Sequence, residues 1–243
     1  MSIMFDATKA EFRPHFERTG PGPVIDILIV FTVMLSAYLL EGFAASQGWI
    51  SVGAGARGVS GVVCAALAAI IVVLVRGKTL ADLGIKRPRR WRLVPIQVLG
   101  VLFVFIAAQY LVPLLLSAFF AVPEPDFSRY EGISGNLGGA IAMALILPLT
   151  ASIPEEIIYR GFLIGRLSNI FGHDGGGAVI SVLVQALIFS AVHFQWGVGG
   201  MILALVMGLV WGTAYLLCDR NLWVVILAHS AGHIMLVVGL YLS

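Results

Sequence analysis

Charged residues are scarce in this sequence of 243 residues. Asp, Glu, Lys and Arg make up 12% of it, against about 25% in ordinary soluble domains. Hydrophobic residues reach 59%. The formal net charge is only +2, which argues against a nucleic-acid partner. The composition therefore predicts an all-α, polytopic membrane protein.

Features that would indicate other classes of protein are also missing. Only two cysteines occur, Cys64 and Cys218, and both lie inside apolar segments without CxxC spacing, so we assign them no role. Residues 1–20 contain no early apolar run and do not resemble a cleaved signal peptide. No linker, charge block or internal repeat divides the chain. We therefore expect a single integral-membrane domain over residues 1–243.

Long apolar stretches take the place of the missing charges. A bilayer span needs about 20 mainly apolar residues, and stretches of this kind cover residues 24–45, 58–75, 93–120, 138–167, 178–194, 200–218 and 222–241. The sequence thus predicts a helical bundle with about seven transmembrane helices, eight being the alternative.

The distribution of basic residues predicts how the chain is oriented. Residues 76–92, between the second and third spans, hold seven basic residues against one acid. The positive-inside rule places this connection, and with it the N-terminus, in the cytoplasm. We expect a multi-pass protein of the cell (inner) membrane. The longest connection on the opposite side, residues 121–137, is rich in Pro and Gly, which predicts an irregular loop over the outer mouth.

Three ionisable residues stand out within the fourth apolar stretch: Glu155, Glu156 and Arg160. A charge within the bilayer costs at least about 2.5–3.5 kcal/mol, so such a cluster indicates a functional site. Glu156 and Arg160 are four residues apart on one helix face and can form an ion pair. Glu155 points about a third of a turn away and has no obvious cation partner. A desolvated, unpaired carboxylate of this kind can accept and return a proton.

A structural explanation of Glu155 competes with the functional one. Residues 152–155 match a helix capping box, in which Ser152 begins a helix and Glu155 bonds back to it. Pro154 near the start of a helix fits this alternative.

Three of the five histidines lie in predicted spans. His193 ends the fifth stretch, whereas His229 and His233 share one face of the seventh, with small residues between them. A single membrane histidine is more often an interhelical hydrogen bonder, but three of them beside two carboxylates favour a reactive site. His15 and His173 resemble loop residues and are left out. Counted along straight helices, His193 lies about 22 Å and His229 about 10 Å from the cytoplasmic side, so tilt or irregularity must bring them together.

One free carboxylate and three imidazoles suit hydrolysis by an activated water. A general base and a neutral histidine can hold and deprotonate the water, while other donors stabilise the oxyanion. No Gly-x-Ser-x-Gly motif supports a nucleophilic serine. No cofactor is predicted. Zinc stays an alternative, with Glu155, His193, His229 and His233 as its ligands, although no His-Glu-x-x-His motif supports it.

The order of these motifs resembles the CAAX protease and bacteriocin-processing (Abi) family, which includes the type II CAAX prenyl endopeptidases. The similarity comprises Glu155-Glu156-x-x-x-Arg160, then Phe189-x-x-x-His193, then His229 and His233, within a core of about residues 138–243. Residues 82–85 (Asp-Leu-Gly-Ile) also look like a feature of bacterial members.

The resemblance implies a glutamate-dependent intramembrane endopeptidase. Glu155 matches the glutamate that activates water and His193 its helper, whereas Glu156 and Arg160 match a supporting acid and base. His229 and the residue four positions later match the oxyanion stabilisers, and relatives commonly carry Asn where this chain has His233.

The leading hypothesis is hydrolysis of a peptide bond in a hydrophobic or lipidated, CAAX-like peptide within the membrane lipids. One alternative is a catalytically silent scaffold or bacteriocin-immunity-type protein, in which the polar cluster only holds helices together. Another is a proton-coupled carrier, which lacks the interrupted helices expected in matching halves.

Overall fold

The computed structural model describes residues 22–51 and 58–243, and every regular element in these two ranges is helical. The interpretations of residues 1–20, including a cytoplasmic N-terminus, the lack of a signal peptide and the loop position of His15, lie outside the described residues.

Seven long helices follow one another in the described ranges. They are α1 (Gly22–Ser46), α2 (Val59–Val75), α3 (Val94–Ser117), α4 (Leu137–Phe171), α5 (Gly175–Val192), α6 (Gly197–Leu217) and α7 (Leu222–Leu242). Short 3-10 turns precede some of them, at Leu80–Leu83, Trp91–Leu93, Ser128–Ile133 and Phe194–Trp196.

These helices match the seven predicted apolar stretches. Six, counting the turns that lead into α3 and α6, are long and apolar enough to cross a membrane, whereas α2 is shorter, with 17 residues. The prediction of an all-α, polytopic membrane bundle is therefore confirmed.

Helix α3 shows how the bundle meets the lipid. It has no buried residue, and side chains such as Phe103 and Tyr110 are 73% and 76% exposed. Apolar surface of this extent is unfavourable in water but not in a hydrocarbon environment. Within residues 22–51 and 58–243, charged side chains lie instead inside the bundle, as Glu156 and Arg160 do, or near the ends of its helices and in the loops between them.

Helix α4 lies at the centre, in contact with α1, α2, α5, α6 and α7. Its hydrogen bonding widens to the π pattern at Pro148–Ser152 and again at Glu156–Leu163. Proline has no amide hydrogen to donate to the preceding turn, so Pro148 favours the first of these departures. Helical segments of this kind occur frequently at functional sites.

The capping-box alternative for Ser152 and Glu155 is wrong. Ser152 has helical backbone angles (φ −55°, ψ −51°) and lies inside a continuous helix, so no helix begins there. Its hydroxyl is bonded to His233 instead.

The stagger of α4 against α5 accounts for part of the expected mismatch in depth between the histidines. The two helices run antiparallel, with the hydroxyls of Ser168 and Ser181 3.5 Å apart. Nearer the middle of α4, the rings of Tyr159 and Phe189 meet edge to face at 4.9 Å. The first turns of α5 therefore pack beside the last turns of α4.

Helix α7 begins beside the middle of α4, whereas α5 begins beside the last turns of α4. The amide of Leu222 donates to the carbonyl of Gly84 at 3.0 Å, in a loop that lies directly against Gly161 of α4. Because α5 starts beside a later part of α4, it needs more residues to reach the level of the glutamates than α7 does. The long stretch of α5 before His193 and the short stretch of α7 before His229 therefore end at similar depths in the bundle.

The same loop contains the Asp-Leu-Gly-Ile stretch and depends on two glycines. Gly84 has a φ of +85°, and a Cβ added at Gly161 would come within 2.5 Å of the Leu83 carbonyl oxygen. Asp82 accepts bonds from the amide and hydroxyl of Thr79, at 2.8 and 2.9 Å. Partial burial raises the pKa of Asp82, but these bonds outweigh it, and its pKa is lowered overall.

Candidate active site

The predicted pair between Glu156 and Arg160 is confirmed. Arg160 Nη1 donates to Glu156 Oε1 at 3.0 Å, and both side chains are completely buried. Arg160 also donates to the carbonyl of Met207 on α6 at 3.3 Å. Its guanidinium lies 4.6 Å from the centre of the Phe189 ring on α5. The pair thus links the central helix α4 to two of its neighbours, α5 and α6.

His229 lies between the two glutamates. Its Nδ1 is 2.8 Å from Glu156 Oε1, and its Nε2 is 3.9 Å from Glu155 Oε2. Glu156 Oε1 already accepts a bond from Arg160, as an ionised carboxylate does, so His229 Nδ1 must donate. In the neutral ring, Nε2 then presents a lone pair toward Glu155. This nitrogen is buried and has no hydrogen-bond partner among the described residues.

Glu155 is the less constrained of the two carboxylates. Its side chain is 12% exposed. The ion pairs within residues 22–51 and 58–243 give it no Lys or Arg partner, as the helix geometry predicted. Glu155 and Glu156 therefore differ in environment although they are adjacent in sequence.

His193 is fixed at the end of α5 by its own helix. Its Nδ1 donates to the Phe189 carbonyl at 2.7 Å, which leaves Nε2 as an acceptor in the neutral ring. The ring lies 4.5 Å from the rings of both Phe189 and Trp196. Phe189, one helical turn before His193, also contacts the guanidinium of Arg160, so His193 lies close to the buried ion pair.

His233 completes the cluster one turn along α7 from His229. The two rings lie 4.5 Å apart, and His233 Nδ1 is 2.8 Å from the hydroxyl of Ser152 on α4. A hydroxyl can donate to this nitrogen, and the neutral ring then carries its proton on Nε2. His233 is thus able to be a donor, in contrast to neutral His229 and His193.

The loop of residues 121–136 reaches the cluster from the other end of the bundle. Its Asp126 amide donates to the carbonyl of Trp196 at 3.0 Å, and the rings of Phe127 and Trp196 meet at 5.6 Å. Tyr130 is 8% exposed. Burial raises the pKa of the Tyr130 phenol, Arg129 opposes this effect, and the charge of Glu155 adds to it. The predicted covering loop therefore approaches both His193 and Glu155.

The alternative zinc site is not supported by the arrangement of the side chains. Within the described ranges, no three His, Cys, Asp or Glu residues lie where they could share one metal ion. The rings of His229 and His233 are tilted by 39° to each other, with their centres 4.5 Å apart. A tetrahedral zinc site needs nitrogen lone pairs directed at one point.

Sequence reasoning missed several residues that surround the cluster. Ser152 was considered only in the capping-box alternative, although a hydroxyl in an apolar helix was the available signal for an interhelical partner. Trp211 is completely buried and stacks on His229 at 5.9 Å. Its aromatic character alone did not distinguish it from the core. His173, which was left out, lies in the turn between α4 and α5 beside Asn169, and both cysteines are free.

Comparison with known protein families gives a match over part of the chain. Residues 137–235 match the family described as type II CAAX prenyl endopeptidase Rce1-like, and the match spans α4 to most of α7. No curated protein and no solved structure matches the chain. The matched region contains Glu155, Glu156, Arg160 and all three clustered histidines. Over residues 137–235, the chain is therefore similar to the type II CAAX prenyl endopeptidases, which supports a relationship to the CAAX protease and bacteriocin-processing family.

Proposed function

We propose that this protein is a glutamate-dependent intramembrane endopeptidase. It hydrolyses a peptide bond in a hydrophobic or lipidated, CAAX-like peptide, using a water activated by Glu155. Its catalytic region is about residues 138–243, within a single domain. The family match supports a protease of the CAAX type, and the cluster described above supports the choice of residues.

The unpartnered Nε2 of His229 is the observation that carries this proposal. A buried polar atom without a partner costs about 1–3 kcal/mol. Such a cost is understandable where a ligand or a water completes the site. The nitrogen faces Glu155 Oε2 at 3.9 Å, so one water can bond to both atoms at once. Glu156 and Arg160 keep the imidazole in the tautomer that accepts this bond.

The reaction follows from the tautomers. Glu155 takes a proton from the water while the water oxygen forms a bond to the scissile carbonyl carbon. The water has one other hydrogen, which Nε2 of His229 accepts, and Nε2 of His193 is a second acceptor that can receive this hydrogen in its place. His233 donates through Nε2–H to the oxyanion, and the Glu155 proton then passes to the leaving nitrogen as the C–N bond breaks. Electrostatic stabilisation of an oxyanion is usually among the larger contributions to such catalysis.

This assignment differs in one respect from the roles that the family resemblance implies. The resemblance makes both His229 and His233 oxyanion donors. Because His229 Nδ1 already donates to Glu156, a neutral His229 has no proton left to donate from Nε2. We therefore assign it to the water and keep His233 as the donor. Phe189 supports the site by packing on Arg160 and accepting the His193 bond through its carbonyl.

The substrate class follows from the surroundings of the cluster. The helices that enclose it are apolar and able to span a membrane, so a hydrophobic or lipid-bearing segment can approach from the bilayer. We further propose that the basic segment of residues 76–92 and the N-terminus face the cytoplasm of the cell (inner) membrane, as their charge predicts.

A catalytically silent scaffold is the second candidate. The specific observation in its favour is the link from Met207 through Arg160 and Glu156 to His229. These contacts bind three helices together whether or not chemistry occurs. In that case Glu155 would be a bystander, and its replacement would not change any peptide cleavage.

The test is Glu155→Gln in purified protein reconstituted in liposomes. The substrates are a quenched fluorescent peptide with a prenylated CAAX-like C-terminus and the same peptide without the lipid. We expect cleavage to fall at least 100-fold, since a positioned general base contributes about 10²–10⁴-fold. Glu131→Gln, an exposed carboxylate in the covering loop, is the matched control. Undiminished cleavage by Glu155→Gln would sink the mechanism, and no cleavage by the wild type would favour the scaffold.

A further inference from the structure

A cavity of about 470 Å³ lies at the other end of α4 from the covering loop. Its walls are the loop between α2 and α3, the α4 residues Gly161 and Gly165, and the connection between α6 and α7 at Arg220. None of its lining residues belongs to the candidate active site. A volume of this size is in the range of ligand pockets, about 300–1,000 Å³.

The lining of this cavity is strongly basic. Lys78, Lys86, Arg166 and Arg220 contribute four cationic side chains, and Asp82 is the single acid among the lining residues. Asp82 is already engaged by Thr79. In a chain with few charges, four cations around one cavity attract an anion.

Arg166 provides independent evidence that the cavity suits an anionic ligand. Its side chain is only 8% exposed, and its Nε pairs with Asp26 Oδ2 at 2.9 Å. The same Asp26 also pairs with Arg76 at 2.7 Å, so one carboxylate serves two guanidinium groups. Nη2 of Arg166 has no hydrogen-bond partner among the described residues. A buried guanidinium with an unused donor beside a cavity is suited to an anionic oxygen.

The position of the cavity indicates what kind of anion reaches it. It lies where α2 ends, at Val75, and where α7 begins, at Leu222. At the ends of membrane-spanning helices, the surrounding medium is the layer of lipid headgroups. Basic pockets between transmembrane helices at this depth bind anionic headgroups.

We propose that this cavity binds the phosphate of an anionic phospholipid headgroup. The Arg166 guanidinium contributes positive charge from the cavity wall, while Lys86 and Arg220 provide charge at its edge. The bound lipid joins the loop after α2 to α4 and to the start of α7. These elements lie beside Gly161, one residue after Arg160. The lipid therefore stabilises the second half of α4, the helix that carries the glutamates.

The experiment measures thermal unfolding of the purified full-length protein in a neutral detergent. The probes are dioctanoyl phosphatidylglycerol, dioctanoyl phosphatidylcholine and inorganic phosphate. At about 100 times its Kd, the anionic lipid is expected to raise the Tm by about 5–10 °C. Phosphatidylcholine and inorganic phosphate are expected to have little effect. An equal rise with inorganic phosphate would instead identify a soluble phosphate and overturn the headgroup proposal.

Charge-matched variants test the location of the site. Lys86→Gln with Arg220→Asn removes two cations from the cavity, and Asn tolerates the positive φ of 50° at position 220. Arg87→Gln with Arg89→Gln removes two exposed cations that do not line it. The lipid-dependent rise in Tm should be lost in the first variant and kept in the second.

If the double variant does not fold, the single variant Lys86→Glu provides a second test of the lipid-dependent rise in Tm. Its side chain is exposed, and the fold uses only its carbonyl, which accepts a bond from Asn221 at 2.9 Å. Equal rises in Tm for the wild type and Lys86→Glu, or no rise for the wild type, would refute the proposal. Because the readout is binding, its failure is distinct from failure of the protease mechanism.

Discussion

Replacing Glu156 by Gln removes one charge from a completely buried ion pair. Arg160 then stays in the core with its charge uncompensated, although Met207 and the Phe189 ring still contact it. Removing one partner of a buried pair costs about 3–5 kcal/mol. Gln keeps an oxygen acceptor in the same place, so we expect a cost near 3 kcal/mol.

Glu155→Gln is the matched comparison, because it removes the same charge one residue earlier. Glu155 has no Lys or Arg within ion-pair distance in the described ranges and is partly accessible. Its replacement therefore leaves no buried cation unpaired, and we expect a change in stability below about 1 kcal/mol.

The assay is thermal unfolding of both variants in the same neutral detergent. For a chain of this size, 1 kcal/mol corresponds to about 2–4 °C in Tm. Glu156→Gln should therefore lower the Tm by about 6–12 °C and Glu155→Gln by less than about 4 °C. Glu156→Gln combined with Arg160→Gln should be less destabilised than the sum of the two single changes, since it leaves no unpaired charge.

Two results would refute this reasoning. If Glu155→Gln lowered the Tm as much as Glu156→Gln, the division into a structural and a reactive carboxylate would be wrong. If Glu156→Gln and Arg160→Gln were simply additive, the pair would not be coupled as its 3.0 Å contact indicates.

Two further predictions concern the chemistry. Ser152→Ala should lower kcat for peptide cleavage by about 10-fold with little change in KM, because His233 loses the hydroxyl that fixes its Nδ1. Ser128→Ala in the covering loop is the control. An unchanged kcat in Ser152→Ala would exclude this role. Prolonged treatment with EDTA and 1,10-phenanthroline should leave cleavage within about 2-fold of the untreated enzyme, because no three ligands converge in the described ranges. Loss of cleavage, restored by added zinc, would show that a metal is required.

Much of the architecture could be predicted because the bilayer imposes a simple rule. Every backbone polar group within hydrocarbon must be bonded internally, so long apolar stretches become helices. The seven stretches and the Glu156–Arg160 pair follow from this rule and from helical spacing. Residues 152–155 show its limit, because Ser152 fits a helix cap by spacing, and only the continuous path of α4 excludes that role.

The candidate site illustrates what local patterns leave open. The sequence indicated that Glu155, His193, His229 and His233 belong together, but straight helices placed two of the histidines at different depths. The offset start of α5 and α7 along α4 was not apparent, because it depends on a loop that packs against Gly161. The two backbones can approach closely only because Gly161 has no side chain and because the loop after α2 runs past it. The second condition is not visible in the sequence around Gly161.

The sequence by itself determined that this protein is a membrane bundle with one paired and one unpaired carboxylate in its core. Composition and spacing are sufficient for that, since burial cost and helical period act locally. Only the tertiary structure decided which nitrogen of each histidine is engaged. Those choices depend on partners from other helices, Glu156 for His229 and Ser152 for His233. The physical reason is that a tautomer is selected by hydrogen bonds across the bundle, which no single segment contains.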